Sequence, residues 1–146
     1  AVERFQPLPH RLERVRELGG VLYVNDSKCT TVSALQVALE AFERPVRLLC
    51  GGKFKGGDLA GLADLLRAKV QEVVLFGASR EHFEKAWQGI VPISWHETME
   101  PAVRFASANA KSGDVVLLAP ATSSYDLYKN YEQRGEDFKQ IVGKLS

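Results

Sequence analysis

The 146-residue chain is poor in the residues that advertise chemistry by themselves: two cysteines, one methionine and three histidines. Two cysteines build no disulfide framework and match no zinc spacing. Cys29 falls in a polar turn and Cys50 ends an apolar run, so both read as free thiols of a reducing, cytoplasmic compartment. His10, His82 and His96 are scattered, without an orienting partner or a second ligand, and none is read as catalytic. No Ser/His/Asp order and no H-E-x-x-H pattern occurs. No apolar run approaches the roughly 18 residues that span a bilayer. No basic segment followed by an apolar one opens the sequence, so a secretion signal is not expected. Charge of one sign is never concentrated: the formal net charge is +1, without a basic block. A nucleic-acid or membrane-surface footprint, which needs clustered lysine and arginine, is thereby disfavoured. No GxGxxG follows a strand, which argues against a dinucleotide cofactor, and no GxxxxGK[ST] phosphate loop is found.

What is present is an ordinary globular composition, 45% apolar and 25% charged, on a length suited to one domain. Ala1 rather than Met opens the chain, so it is expected to be a piece of a longer protein.

Apolar runs alternate with helical patterns. Arg11–Leu18, apolar only at Leu12, Val15 and Leu18, reads as an exposed edge strand. Gly19-Gly20 would turn it into Val21–Val24 as a tight hairpin. A helix follows with Val32, Leu35, Leu39 and Phe42 on one stripe, then a strand at Val46–Cys50. Leu59, Leu62 and Leu66 mark a second helix, and Val73–Phe76 a strand. Ser79 is placed to cap a third helix with Phe83, Ala86 and Trp87 inside. Val91–Trp95 reads as a strand, and Thr98 as the cap of a helix containing Val103 and Ala106. Val115–Ala119 is the most apolar strand, and the last helix buries Phe138, Ile141, Val142 and Leu145. This alternation predicts an α/β, Rossmann-like fold: a mostly parallel, doubly wound sheet with one antiparallel edge strand.

Four of these strands end in polar turns: Asn25-Asp26-Ser27-Lys28-Cys29-Thr30-Thr31, the glycine-rich Gly51–Asp58, Gly77-Ala78-Ser79 and Pro120–Ser124. In a parallel sheet such turns gather on one edge, where open α/β sheets bind ligands. Lys28 and Lys55 lie there among Gly, Ser and Thr, suited to a phosphate or carboxylate; as solvated loop lysines they would do nothing further. Thr30, Thr31, Ser123 and Ser124 have a plain alternative role as helix caps, and Asp26 as the centre of an Asx-turn.

Four ordered motifs resemble the C-terminal domain of the Mur ligases, ATP-dependent enzymes that build the peptide of bacterial peptidoglycan. They are Leu8-Pro9-His10-Arg11-Leu12-Glu13, Asn25–Thr30, Gly51–Asp58, and Ser123-Ser124-Tyr125-Asp126 with Lys129-Asn130-Tyr131-Glu132-Gln133-Arg134-Gly135. The last is similar to the D-glutamate-adding members in particular, and the resemblance runs from Leu8 to near Leu145.

The resemblance implies a three-domain ligase of which residues 1–146 form the C-terminal, amino-acid-binding domain. The UDP-sugar domain, the phosphate loop and the magnesium ligands would lie upstream, so this chain alone is expected not to turn over ATP. Arg11 and Asp26 would contact ATP phosphate and ribose, and Lys28 would sit near the transferred phosphate. Thr30, Lys55, Ser124, Tyr125 and Tyr131 would hold D-glutamate. Tyr125 and Tyr131 stand where the family carries aliphatic and phenyl side chains, so backbone or stacking roles are what transfers; Lys53 is the alternative to Lys55. The implied partners are D-glutamate, ATP with Mg2+, and UDP-N-acetylmuramoyl-L-alanine, whose carboxylate becomes an acyl phosphate that the glutamate amine attacks. Such chemistry asks this domain to position anions, not to supply a nucleophile. A related Mur or folylpolyglutamate-type ligase domain and a non-catalytic Rossmann-like binding module are the alternatives.

Overall fold

The computed structural model describes residues 9–146; Leu8, which opens the first motif, lies outside them. β1 (Glu13–Leu18) and β2 (Val21–Asn25) form an antiparallel hairpin around Gly19-Gly20. They are followed by α1 (Val32–Glu40), β3 (Val46–Cys50), a 3-10 turn (Ala60–Leu62) running into α2 (Ala63–Lys69), and β4 (Val70–Phe76). The chain continues through α3 (Arg80–Trp87), β5 (Ile93–His96), α4 (Met99–Asn109), β6 (Val115–Leu118) and α5 (Tyr131–Gly143). The strands make one six-stranded sheet in the order β1-β2-β6-β3-β4-β5, parallel apart from β1.

Helices cover both faces, so the central strands are apolar on both sides rather than alternating in polarity. Leu22, Val24, Leu48, Val73, Leu75 and Leu117 pack under α1, α2 and α3. The intervening residues Val21, Tyr23, Leu49, Val74, Phe76, Val116 and Leu118 pack under α4 and α5. The last strand, β6, inserts between β2 and β3. The helix after β2 therefore lies on one face and the helix after β6 on the other, which opens a crevice at their carboxyl ends. At the opposite edge Arg47 bridges Glu72 at 2.8 Å and Asp114 at 2.9 Å, clamping β3 to β4 and to the start of β6.

Several local expectations are corrected. α1 stops at Glu40, and Phe42 is buried from the turn beyond it. β4 begins at Val70, because Val70 and Glu72 pair with β3 before the apolar run starts. β5 is Ile93–His96 rather than Val91–Trp95, in register with Val73–Phe76. Ser79 precedes α3 in a left-handed conformation and its side chain caps nothing. Thr98 likewise makes no side-chain cap. Thr31 does cap α1, accepting from Ala34 N at 3.1 Å, whereas Asn130, not a serine, caps α5.

α5 carries one side chain that its burial makes conspicuous. Arg134 is fully buried on the same stripe as Phe138, Ile141 and Val142. Its Nε donates to Ser27 Oγ at 2.9 Å and Nη2 to Ser27 O at 2.6 Å, while Nη1 donates to Thr122 O at 3.2 Å. One guanidinium thus pins the loop after β2 to the loop after β6. Burial pulls its pKa down to about 10, which still leaves it charged at neutral pH. Gly135 lets α5 come this close: a Cβ there would lie 2.1 Å from His10 Nδ1 and 3.0 Å from Asn25 Nδ2.

Two outcomes are expected. Arg134→Met keeps the apolar stem but leaves the Ser27 and Thr122 oxygens without their donor, a cost of about 1–3 kcal/mol each. With part of the guanidinium's own desolvation cost returned, a net loss of about 2 kcal/mol is expected, measured by urea unfolding. Gly135→Ala ordinarily gains about 1 kcal/mol in a helix, but here it is expected to destabilise, because the His10–Asn25 contact must open. A raised unfolding midpoint for Gly135→Ala would refute the close packing.

Candidate functional site

The loop after β2 is organised by Asn25. Its Oδ1 accepts Ser27 N at 3.0 Å, and its amide donates to His10 Nδ1 at 2.9 Å and to Glu13 Oε1 at 3.1 Å. The Asx-turn expected of Asp26 therefore belongs to Asn25. Asp26 reaches across instead: its Oδ1 accepts Leu12 N at 3.0 Å. Burial pushes the Asp26 carboxyl up, opposed by that N–H and by the nearby Arg11 guanidinium. His10 O accepts Lys28 N at 2.9 Å, so residues 10–12 lie along the loop like a strap. Arg11, Leu12, Asp26, Lys28, Ala34 and Val37 line a cavity of about 300 Å³ at the start of α1. The Lys28 ammonium lies 6.0 Å from the centre of the Tyr131 ring, which meets the His10 ring edge-on.

The glycine-rich loop after β3 and the loop after β6 are bound to one another. Lys53 and Ser123 form an antiparallel bridge, with Lys53 N donating to Ser123 O at 3.1 Å and Ser123 N to Lys53 O at 3.0 Å. The Thr122 hydroxyl donates to Gly51 O at 2.6 Å. The glycines serve close packing: a Cβ at Gly51 would lie 2.0 Å from Phe76 O, and one at Gly52 2.4 Å from Thr122 Oγ1. Ser124 is buried, and its carbonyl accepts Leu127 N at 3.3 Å and Tyr128 N at 2.8 Å. The resulting turn leaves Tyr125 66% exposed, and Lys55 Nζ approaches its ring to 5.9 Å. Lys53 joins this bridge through its backbone, and the Lys55 ammonium meets an aromatic partner in Tyr125.

All the residues singled out in the sequence lie on this carboxyl-side edge or on the strap beside it. Arg11, Asp26 and Lys28 share one cavity; Lys28 and Tyr131 are neighbours, as are Lys55 and Tyr125. Thr30 is half-buried beside the α1 cap, Thr31. Cys29 also lines that cavity, but burial pushes its thiol up to about 12 and that of Cys50 well above its usual value, so neither offers a thiolate. His82 packs against Phe54 and His96 against Phe105.

The sequence reading missed the residues that hold these groups in place: His10, Asn25, Ser27, Thr122 and Arg134. One of them was detectable. Arg134 sits four and seven residues before Phe138 and Ile141, so a cation occupies the apolar stripe of α5, where only a paired or hydrogen-bonded charge is tolerated.

Comparison with known proteins places this geometry in a family. Residues 10–122 match the family described as Mur ligase, glutamate ligase domain. The whole chain is 75% identical to a UDP-N-acetylmuramoylalanine--D-glutamate ligase of Desulfovibrio desulfuricans, covering 34% of that protein. It is 64% identical over its full length to the same-named protein of Nitratidesulfovibrio vulgaris, again covering 34% of it. The chain thus spans about a third of the length of the curated relatives it matches. In three dimensions it is similar to a murein peptide ligase of Psychrobacter arcticus, with a TM-score of 0.65 and 12% identity over 94% of this chain and 30% of that one. A folylpolyglutamate synthase/dihydrofolate synthase of Yersinia pestis gives a TM-score of 0.64 at 19% identity, over 93% of this chain and 32% of that one. These last two likenesses establish the shared fold. The chain belongs to the Mur ligases, as a glutamate ligase domain.

Proposed function

We propose that this chain is the C-terminal, D-glutamate-binding domain of a three-domain ligase that joins D-glutamate to UDP-N-acetylmuramoyl-L-alanine at the expense of ATP. The observation that carries the reading is the position of Lys28. Its side chain lines the cavity with Arg11 and Asp26, its ammonium lies 6.0 Å from the centre of the Tyr131 ring, and its loop is joined to the loop that bears Ser124 by the Ala121 N–Cys29 O hydrogen bond. A cation at that junction serves a phosphate on one side and an amino-acid carboxylate on the other. The 75% and 64% identical relatives are both D-glutamate ligases, which favours D-glutamate as that amino acid.

In this proposal each group has a task that its surroundings suit. Arg11 and Lys28 neutralise phosphate oxygens, and Asp26, with Oδ1 held by Leu12 N, offers its other oxygen to a ribose hydroxyl. Thr30, Ser124 and the Tyr131 ring border the amino acid, and Lys55, steadied over Tyr125, takes one carboxylate. The acceptor carboxylate becomes an acyl phosphate, and the amine of D-glutamate displaces the phosphate. The domain contributes orientation and charge stabilisation to that transfer. Among the described residues no group of three or more His, Cys, Asp or Glu side chains is placed to hold a metal ion. The proposal assigns Mg2+ and the phosphate loop to the upstream part of the protein.

Two measurements test it. The 146-residue chain alone, supplied with ATP, D-glutamate and UDP-N-acetylmuramoyl-L-alanine, is expected to release no phosphate above a blank; turnover would refute the division of labour. In the full-length protein, Lys55→Ala is expected to raise the D-glutamate KM roughly 10- to 150-fold, the equivalent of about 1.5–3 kcal/mol for a lost charge-assisted bond. The KM for ATP should stay near its original value. Unchanged D-glutamate kinetics would leave Lys55 a solvated loop residue.

A further inference from the structure

Asp126, within the Ser123-Ser124-Tyr125-Asp126 motif, has no task in the proposed chemistry, yet it is specifically engaged. Its Oδ2 accepts Ala78 N at 2.8 Å, from the loop between β4 and α3. The approach is tight: a Cβ on Gly77 would lie 2.5 Å from that same oxygen. The loop so gripped in turn holds the glycine-rich loop. Gly52 N donates to Ala78 O at 3.4 Å, and Phe54 N donates to Ser79 Oγ at 3.0 Å. The bridge between Lys53 and Ser123 then leads back to the loop that carries Asp126. Three loops, from β3, β4 and β6, are closed into a ring of hydrogen bonds, with Lys55 and Tyr125 on its rim.

Ser79 supplies an independent sign that this ring is favoured over local stability. It stands at the N-cap of α3, where a serine ordinarily accepts an N–H of the first turn. Instead its φ is +69°, a conformation that non-glycine residues rarely adopt, and its hydroxyl is turned away from the helix toward Phe54 N. The helix forgoes its cap, and a backbone position is strained, in favour of the loop that presents Lys55.

We infer that Asp126 is a positioning residue for the amino-acid pocket: by holding Ala78 N it fixes the 77–79 loop, and through it the placement of Lys55 relative to Ser124 and Tyr125. The inference rests on the D-glutamate reading proposed above. It predicts a defect in D-glutamate binding rather than in phosphoryl transfer, because neither Asp126 nor the 77–79 loop it holds lines the cavity of Arg11, Asp26 and Lys28.

The test uses the full-length ligase with Asp126→Ala and Asp126→Asn, since asparagine keeps an oxygen able to accept the Ala78 N–H. Asp126→Ala is expected to raise the D-glutamate KM roughly tenfold, with kcat and the ATP KM within about twofold of wild type. Amide exchange at Gly52, Phe54 and Ala78 should quicken in parallel, and Asp126→Asn should restore both readouts most of the way. An unchanged KM, a loss confined to kcat, or an asparagine variant as impaired as the alanine one would overturn the inference, the last by showing that the charge itself acts. If wild-type enzyme does not respond to D-glutamate, the functional reading fails separately. The exchange measurement then still decides, since unaltered protection in Asp126→Ala would mean that Asp126 does not hold the ring. Asp126→Ser takes the place of Asp126→Ala should the latter yield no folded protein.

Discussion

The structure depends on a buried guanidinium. Arg134 satisfies oxygens of Ser27 and Thr122 that would otherwise be stranded at the carboxyl ends of two neighbouring strands. Its described hydrogen bonds all go to neutral oxygens, so it is held by geometry rather than by an ion pair. A planar fork with several donors suits such a place, where a lysine would reach fewer acceptors. The loops it joins carry Asp26 and Lys28 on one side and Ser123 and Ser124 on the other, so the spacing of these groups is inherited from one buried residue.

The two edges of the sheet hold their charges differently. At the amino edge Arg47, Glu72 and Asp114 form a closed ionic cluster, with Asn109 donating to Glu72 at 3.2 Å. At the carboxyl edge the charges are spread among Arg11, Lys28 and Lys55, and the last two lie over tyrosine rings rather than carboxylates. Among the described residues none of these three cations has an ion pair, which leaves them available to a ligand that is itself an anion. The price is met by the backbone: the loops after β3, β4 and β6 hold one another through N–H and C=O groups, so the lysines need not be pinned by their own ion pairs.

Much of the architecture was legible along the chain. The doubly covered strand Val115–Leu118 is a continuous apolar run, Val46–Cys50 is one but for Arg47, and the turns that follow them are polar. The boundaries that went astray share a cause. Val70–Glu72 joins β4 because β3 offers it a pairing partner, and β5 ends at His96 because Phe76 lies opposite, neither of which local composition records. Ser79 was misread as a cap for a similar reason: its hydroxyl answers to Phe54, twenty-five residues away in sequence.

The sequence by itself determined the α/β class, the antiparallel hairpin and the family, because these rest on local periodicity and on motifs contiguous in the chain. Only the tertiary structure decided that β6 lies between β2 and β3. It alone decided that Asn25 and not Asp26 makes the Asx-turn, and that Asp126 grips the 77–79 loop. Those facts follow from crossover connections and from hydrogen bonds between residues remote along the chain, whose partners are chosen by the packing of α5 and the sheet as a whole.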